Sequence, residues 1–236
     1  MALALLAAGE IYRFVLRSLA WGEVLRAVEL AFLTLARVVV LIGLASLVWT
    51  PIGVWIGLRP KVAERVQPIA QFLAAFPVNL LYGAVVSAII AWRLDPNVFL
   101  SPLMVLGTQW YILFNVIAGA SAYPTDLKQA AQTFGVTGWQ WWRHVMGPGI
   151  LPYFVTGALT ASGGAWNAAI VSEVASWGSH HLRAAGLGAY IADATAAGDY
   201  PRIVLGVAVM SVFVVALNRT IWRPLYRLAE RRYRFD

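Results

Sequence analysis

Glu173, Asn79, Asn115 and Asn167 have the most chemistry open to them in this sequence, because each is a polar group set in or at the edge of a long apolar run. Polar side chains at membrane depth face a helix bundle rather than lipid. The three asparagines are therefore read in two ways, as helix–helix hydrogen bonds or as contacts along a path for a polar solute. Glu173 falls at the outer end of an apolar run. There it either lines such a path, receives an external partner or sits as a solvated interface carboxylate. A lone carboxylate beside an anion path would repel the anion unless a cation stood near. Arg37 lies just outside the first apolar run, where snorkelling to headgroups and attraction of an anion are both open to it.

Other chemistry is missing from the sequence. There are no cysteines, which removes disulfides, thiolate metal sites and cysteine nucleophiles. His180 and His181 are adjacent with no third histidine nearby, so no metal site is expected. No phosphate-binding Gly-x-x-x-x-Gly-Lys-Ser/Thr loop occurs, nor a Gly-x-Ser-x-Gly elbow, nor a His-Glu-x-x-His helix. No catalytic residue is assigned.

The elements that carry these residues are apolar and long. Of 236 residues, 60% are hydrophobic and 12% charged. Soluble domains carry about a quarter charged residues, so lipid is the expected solvent. A net charge of +7 raises nucleic acid as a partner. The basic residues, however, sit between apolar runs and at the C-terminus, as positive charge kept on the cytoplasmic side would. No nucleic acid is expected. A spanning helix needs about 20 apolar residues. Five runs fit: Val38–Leu58, Ile69–Trp92, about 98–120, about 149–172, and Ile203–Trp222. Arg59, Lys61 and Arg65 follow the first, and Arg223, Arg227, Arg231, Arg232 and Arg234 follow the fifth, which predicts a cytoplasmic C-terminus. Tryptophans near the run ends read as interfacial anchors. Residues 9–36 mix charges with apolar residues and predict an amphipathic helix on the outer interface, the alternative being the remnant of an earlier span. Met1–Ala8 lacks a basic region before it and is not read as a secretory signal.

The segment Tyr123–Pro152, YPTDLKQAAQTFGVTGWQWWRHVMGPGILP, is long for a connection and holds helix formers. Thr125 can cap a short helix, Asp126 suits its first turn, and Gly135 suits a left-handed stop. A second short helix is predicted from about Trp139 to Val145, and Pro148 near the start of the fourth span. Two short helices joined at a glycine make a projecting elbow. Ala131 and Gly135 share a face at i, i+4, where another surface could approach closely.

This segment resembles the cytoplasmic "EAA" signature of binding-protein-dependent ABC permeases. That pattern runs Glu-Ala-Ala, three residues, Gly, nine residues, Ile, one residue, Leu, Pro. Ala130, Ala131, Gly135 and Pro148 match in spacing, and Val145 stands for the Ile; Gln129 replaces the Glu and Gly147 the Leu. Thr34-Leu35-Ala36-Arg37, Pro68–Gly83 and Trp166–Glu173 resemble flanking blocks of the family, most of all its nitrate, sulfonate and taurine group.

The resemblance implies an all-α, polytopic transmembrane helical bundle with about five spanning helices, an N-terminal amphipathic helix and a cytoplasmic coupling-helix elbow. Residues 1–236 would form one permease domain, and an odd span count also suits the C-terminal half of a fused permease. It implies a multi-pass inner-membrane subunit that forms the path for a small anion. Separate ABC ATPase subunits would hydrolyse ATP with Mg and grip the elbow through Gln129, Ala130, Ala131, Gly135, Val145, Gly147 and Pro148. A solute-binding protein would deliver cargo, a second permease domain would complete the path, and the chain itself would bind no cofactor. Two other classes remain open: a secondary transporter or channel with no ATPase, disfavoured by the scarcity of mid-membrane carboxylates, and an assembly protein whose elbow only docks partners.

Overall fold

The structure is a computed structural model, and it describes residues 9–10, 14 and 18–233, with side chains through 231. It is helical apart from one small hairpin. Helix α1 runs Trp21–Gly57. It is followed by α2 (Pro60–Ala75), α3 (Asn79–Ala91), the short α4 (Pro96–Phe99) and α5 (Leu103–Leu106), and α6 (Trp110–Ser121). Then come α7 (Thr125–Thr133), α8 (Gly138–Trp141) and the long α9 (Gly147–Ser172). Strands β1 (Val174–Trp177) and β2 (His180–Arg183) precede α10 (Leu187–Ala197), α11 (Tyr200–Leu217) and α12 (Arg223–Tyr233).

All five expected apolar runs appear as helices, with two differences. The amphipathic segment is, from Trp21 onward, the beginning of α1 rather than a separate helix; residues 11–13 and 15–17 of it lie outside the described residues. The reason is a buried row of small and apolar residues, Ala27, Ala31, Thr34 and Val38, that leads into the expected span at helical spacing, with no Gly or Pro to break it. The second and third runs are interrupted. Phe76 is extended (ψ 129°) because Pro77 follows it, and the residue before a proline is pushed out of the helical region. Trp21–Gly57 and Tyr200–Arg231 are each long and apolar enough to cross a membrane. The count rises to four if Pro60–Ala75 with Asn79–Ala91, and Pro96–Leu106 with Trp110–Ser121, each make one crossing. The 26-residue α9 is about 39 Å long at 1.5 Å per residue.

The chain divides into two compact units. The first comprises residues 1–41, 77–105 and 163–216; the second comprises 42–76, 106–162 and 217–236. In the first, β1 and β2 pair antiparallel, Val174 opposite Arg183 and Trp177 opposite His180. A two-residue turn with Gly178 at φ 60° joins them, the glycine-favouring conformation of tight hairpins. In the second, Ile56, Ala63, Ala70, Leu113 and Ile117 form a buried cluster. Helix α1 lies close against α6 because Gly53 and Gly57 carry no side chain; a Cβ at Gly57 would stand 2.6 Å from the Ile117 carbonyl. Ser121 Oγ donates to the freed Gly57 carbonyl at 3.1 Å. Gly119 makes the same room for Tyr153, and Gly157 for the Tyr111 carbonyl. Trp49 donates from Nε1 to Gln109 Oε1 at 2.9 Å.

Candidate functional site

The second unit carries the elbow. Asp126 lies in the first turn of α7, where a carboxylate complements the helix dipole. No side chain caps its start; Pro124, which has no amide donor to leave unpaired, occupies that position. The helix ends in a Schellman motif. Gly135 N–H donates to Gln132 O at 3.0 Å and Val136 N–H to Ala131 O at 2.9 Å, with Gly135 at φ 62°. Gly138 is left-handed as well, at φ 57°. The turn between α7 and α8 is therefore bounded by two glycines in a conformation that costs other residues about 1–2 kcal/mol.

The outward face of this elbow is not the expected one. Ala131 is 7% exposed and packs into its own chain. Gln129 and Ala130 are exposed, as is Gly135. Two aromatics that sequence reasoning gave no docking role, Phe134 (82% exposed) and Trp139 (76%), stand out from the surface. The placing of Phe134 was readable, since the residue before a left-handed glycine stop is the last of its helix and points outward when the preceding turn packs inward.

Pro148 is the second residue of α9, near the start of the fourth span as expected, though the helix does not open freshly there. After α8 the chain continues through a wider, π-type stretch, Trp142–Met146, straight into α9. Gly147 N–H reaches back five residues to Trp142 O, and a Cβ on Gly147 would meet that carbonyl at 2.6 Å. The widened turn accommodates a proline that would otherwise collide with a carbonyl one turn back. The same device recurs at Asn218–Trp222, two residues before Pro224. Val145 and Pro148 are half-buried beside it.

The first unit centres on Glu173, 1% exposed. Its Oε1 accepts from Thr34 Oγ1 at 2.8 Å and from Arg37 Nη1 at 2.9 Å. Its Oε2 accepts from Ala189 N–H at 3.0 Å. Arg37 Nη1 also donates to Ala185 O at 2.8 Å, and Thr34 Oγ1 accepts from Leu187 N–H at 2.9 Å. The first turn of α10 thus finds partners for two amides that no helical carbonyl can satisfy. Gly186 leaves the space that the carboxylate occupies, and Gly188 lets α10 approach the α9 backbone at Ala169. Asn97 Oδ1 accepts from Ala185 N–H at 2.8 Å, so the loop before α10 is held on both sides.

This burial overturns the reading of Glu173 as a solvated interface carboxylate, and of Arg37 as a residue snorkelling to headgroups. The cation that an anion path would require beside Glu173 is present, and it is ion-paired. Thr34 and Arg37, at i, i+3 on one helix, mark a shared face.

Asn79 begins α3 after the Pro77 break and is exposed, as is Asn167 on α9; neither side chain bonds to a described residue. Asn115 is half-buried and donates back to Tyr111 O at 2.8 Å. Asn79, Asn167 and Glu173 lie in the first unit, Asn115 in the second.

Elsewhere in the first unit a charged cavity of about 220 Å³ is bounded by Glu23, Arg183, Tyr190, Asp193, Asp199 and Arg202, among others. Arg202 pairs with Glu23 at 2.9 Å, and Arg183 pairs with Asp193. Tyr190 donates to Glu23, and its pKa is pushed up to about 12, first by burial and then by the Glu23 charge. Ser176 Oγ and His181 Nδ1 lie 2.8 Å apart, and among the described residues no cluster could hold a metal ion.

The family model for the binding-protein-dependent transport system inner membrane component matches residues 49–235, and the chain belongs to that family. The nitrate import permease protein NrtB of Synechocystis is 23% identical over 80% of this chain and 66% of its own length. The bicarbonate transport system permease protein CmpB of the same organism is 26% identical over 80% and 64%. The chain thus spans slightly less than two thirds of these relatives. In fold it is similar to a chain of the MetNI methionine ABC transporter in an inward-facing conformation, with a TM-score of 0.65 at 21% identity, covering 88% of this chain and 99% of that one.

Proposed function

We propose that this chain is the permease subunit of an ATP-driven importer for a small oxyanion, and that the α7–α8 elbow is where separate ATPase subunits take hold. The elbow carries the reading: a nine-residue helix with a glycine stop at one end, presenting Gln129, Ala130, Phe134 and Trp139 to the surroundings. A glycine-terminated helix transmits a push as a unit, because its last carbonyls are tied back to the turn that follows. In this reading ATP and Mg bind only to the partner subunits, the chain holds no cofactor, and the elbow and C-terminus are cytoplasmic. A solute-binding protein docks on the opposite side, near the charged residues of 173–202. A second permease domain, identical or homologous, completes the path, to which Asn79, Asn115 and Asn167 contribute polar contacts. Residues 1–236 act as one permease domain. Relatives that import nitrate and bicarbonate support a planar oxyanion as cargo.

The absence of native cysteine makes the test direct. Single cysteines at Ala130 and Phe134, in complexes with the partner ATPase, should cross-link to that ATPase and be shielded from maleimide by it. ATP-dependent vesicle uptake of labelled nitrate or bicarbonate should stop when the link forms. Labelling of either cysteine by an impermeant reagent from outside the cell would overturn the docking assignment, and uptake that follows an ion gradient without ATP would overturn the importer.

A further inference from the structure

Arg219, Arg223, Arg227 and Arg231 recur every four residues at the end of the last helix. All four are exposed, and none has an ion-pair partner among the described residues. Four residues of α-helix overshoot a full turn by about 40°, so such a row drifts slowly around the axis. The wider turn at Asn218–Trp222, closed by Arg223 N–H to Asn218 O, carries the backbone the other way and brings Arg219 back toward the line. Ala229, fully buried in α12, falls on the side opposite to Arg223, Arg227 and Arg231. The row therefore faces away from the chain's own packing, and Glu230 is the one carboxylate within 217–231.

The setting identifies the ligand. Tyr200–Arg231 is long and apolar enough to cross a membrane, and exposed side chains earlier in it, Val212 and Val215, are apolar. Toward this end of the helix exposed cations begin at Arg219, one turn after Val215, while Arg202 at the other end is ion-paired to Glu23. From Arg219 to Arg231 is 12 residues, about 18 Å at 1.5 Å per residue. Long arginine side chains reach back toward the interface, which keeps a row of that length in range of the headgroup layer. Apolar side chains persist between the arginines: Ile221, Tyr226 and Leu228 are each 39–47% exposed. A helix that swaps an apolar outer face for an arginine row within one turn, and keeps some apolar surface beside it, matches the change from acyl chains to phosphates. Guanidinium groups grip phosphate oxygens through paired N–H donors.

We propose that the Arg219–Arg231 row is a binding site for anionic phospholipid headgroups, which fixes the depth and direction of the last helix. The assembled complex, purified and exchanged into nanodiscs containing phosphatidylglycerol and phosphatidylcholine, is compared with R223Q/R227Q. The control K61Q/R65Q removes the same charge from a different exposed segment. Retained lipid is read by native mass spectrometry after delipidation. The wild-type complex and the control should keep phosphatidylglycerol in preference to phosphatidylcholine, and R223Q/R227Q should keep about tenfold less of it. Equal loss in the control would reduce the effect to general surface charge and overturn the proposal. So would unchanged phosphatidylglycerol retention in R223Q/R227Q, or a loss of ATPase subunits from that variant with its lipid intact, which would assign the row to a protein partner.

Discussion

Around Glu173 the chain joins α1, the loop before α10 and α10 itself through a carboxylate, a guanidinium, a hydroxyl and backbone amides, all within 3.0 Å of their partners. Along the seams beside Gly53, Gly57, Gly119 and Gly157 the second unit uses the close approach that Gly186 and Gly188 also allow in the first, but without the ion pair. Helices meet there through missing side chains, and a lone hydroxyl, Ser121, bonds across the Gly57 approach. The two solutions fail in different ways. A buried ion pair is sensitive to what is removed, since a lost partner leaves a charge that neither water nor protein satisfies. A glycine seam is sensitive to what is added, since close-packed interiors have no room for a new methyl group. The elbow belongs to the seam-built unit, where helices meet by close contact and no ion pair occurs among the described residues.

The largest expected effect breaks the first of these. Glu173→Ala leaves Arg37 almost buried without its counter-ion and frees the Ala189 amide, and should destabilise the protein by about 3–5 kcal/mol, read as thermal unfolding in detergent or nanodiscs. Glu173→Gln keeps an acceptor and should cost less. Adding Arg37→Met to Glu173→Gln should recover part of the loss. Additive losses in the double variant would refute the ion-pair account of this node.

Next in size is Gly57→Leu. Its Cβ would lie 2.6 Å from the Ile117 carbonyl and 2.7 Å from Ala120 Cβ, so α1 and α6 must separate. A cost of about 1–3 kcal/mol is expected for overpacking of this kind. An unchanged melting temperature would mean that the seam is loose.

A matched pair of helix stops sharpens the comparison further. Helix α3 ends like α7, with Leu94 N–H to Ile89 O at 2.9 Å and Arg93 N–H to Ile90 O at 3.2 Å, yet the left-handed position holds Arg93 at φ 51°. Gly135 fills the equivalent position in the second unit, with nothing within 4 Å of a Cβ built there. Gly135→Ala should therefore destabilise by about 1 kcal/mol, and Arg93→Gly should stabilise by a similar amount. Shifts of the same sign in the two variants would show that backbone strain does not govern these stops.

What the sequence disclosed follows the range of each interaction. The α7 stop was legible because it is complete within six residues, from Ala131 to Val136. The helices themselves were legible because apolar runs of spanning length are local facts. The partners of Glu173 were not, since Thr34 and Arg37 lie 139 and 136 residues away, and a lone sequence does not show which face meets which. The hairpin around Gly178 had a usable signal, a Gly-Ser step between Val174–Trp177 and His180–Arg183, but four-residue strands are weak beside so much helix. Pro148 was legible as a position near the start of the fourth span, but the widened turn before it, which lets α9 continue from α8, was not.

The smallest structural effect tests the elbow alone. Ala130 is exposed, in a helix whose inward face is taken by Ala131. Ala130→Trp adds bulk to a surface that touches nothing in the chain, so stability should change by no more than about 0.5 kcal/mol. Transport should respond quite differently. If an ATPase surface closes over Gln129, Ala130 and Phe134, an indole there holds the two apart, and ATP hydrolysis in the assembled complex should lose its stimulation by solute while uptake falls by about tenfold or more. Ala130→Ser, which fits in nearly the same volume, should leave both intact. A fully coupled Ala130→Trp complex would leave the elbow as a surface ornament and move the search for the lever to another part of the second unit. A Tm that falls along with transport would instead place Ala130 in the same packed category as Gly57, and would erase the distinction between the seams and the face they support.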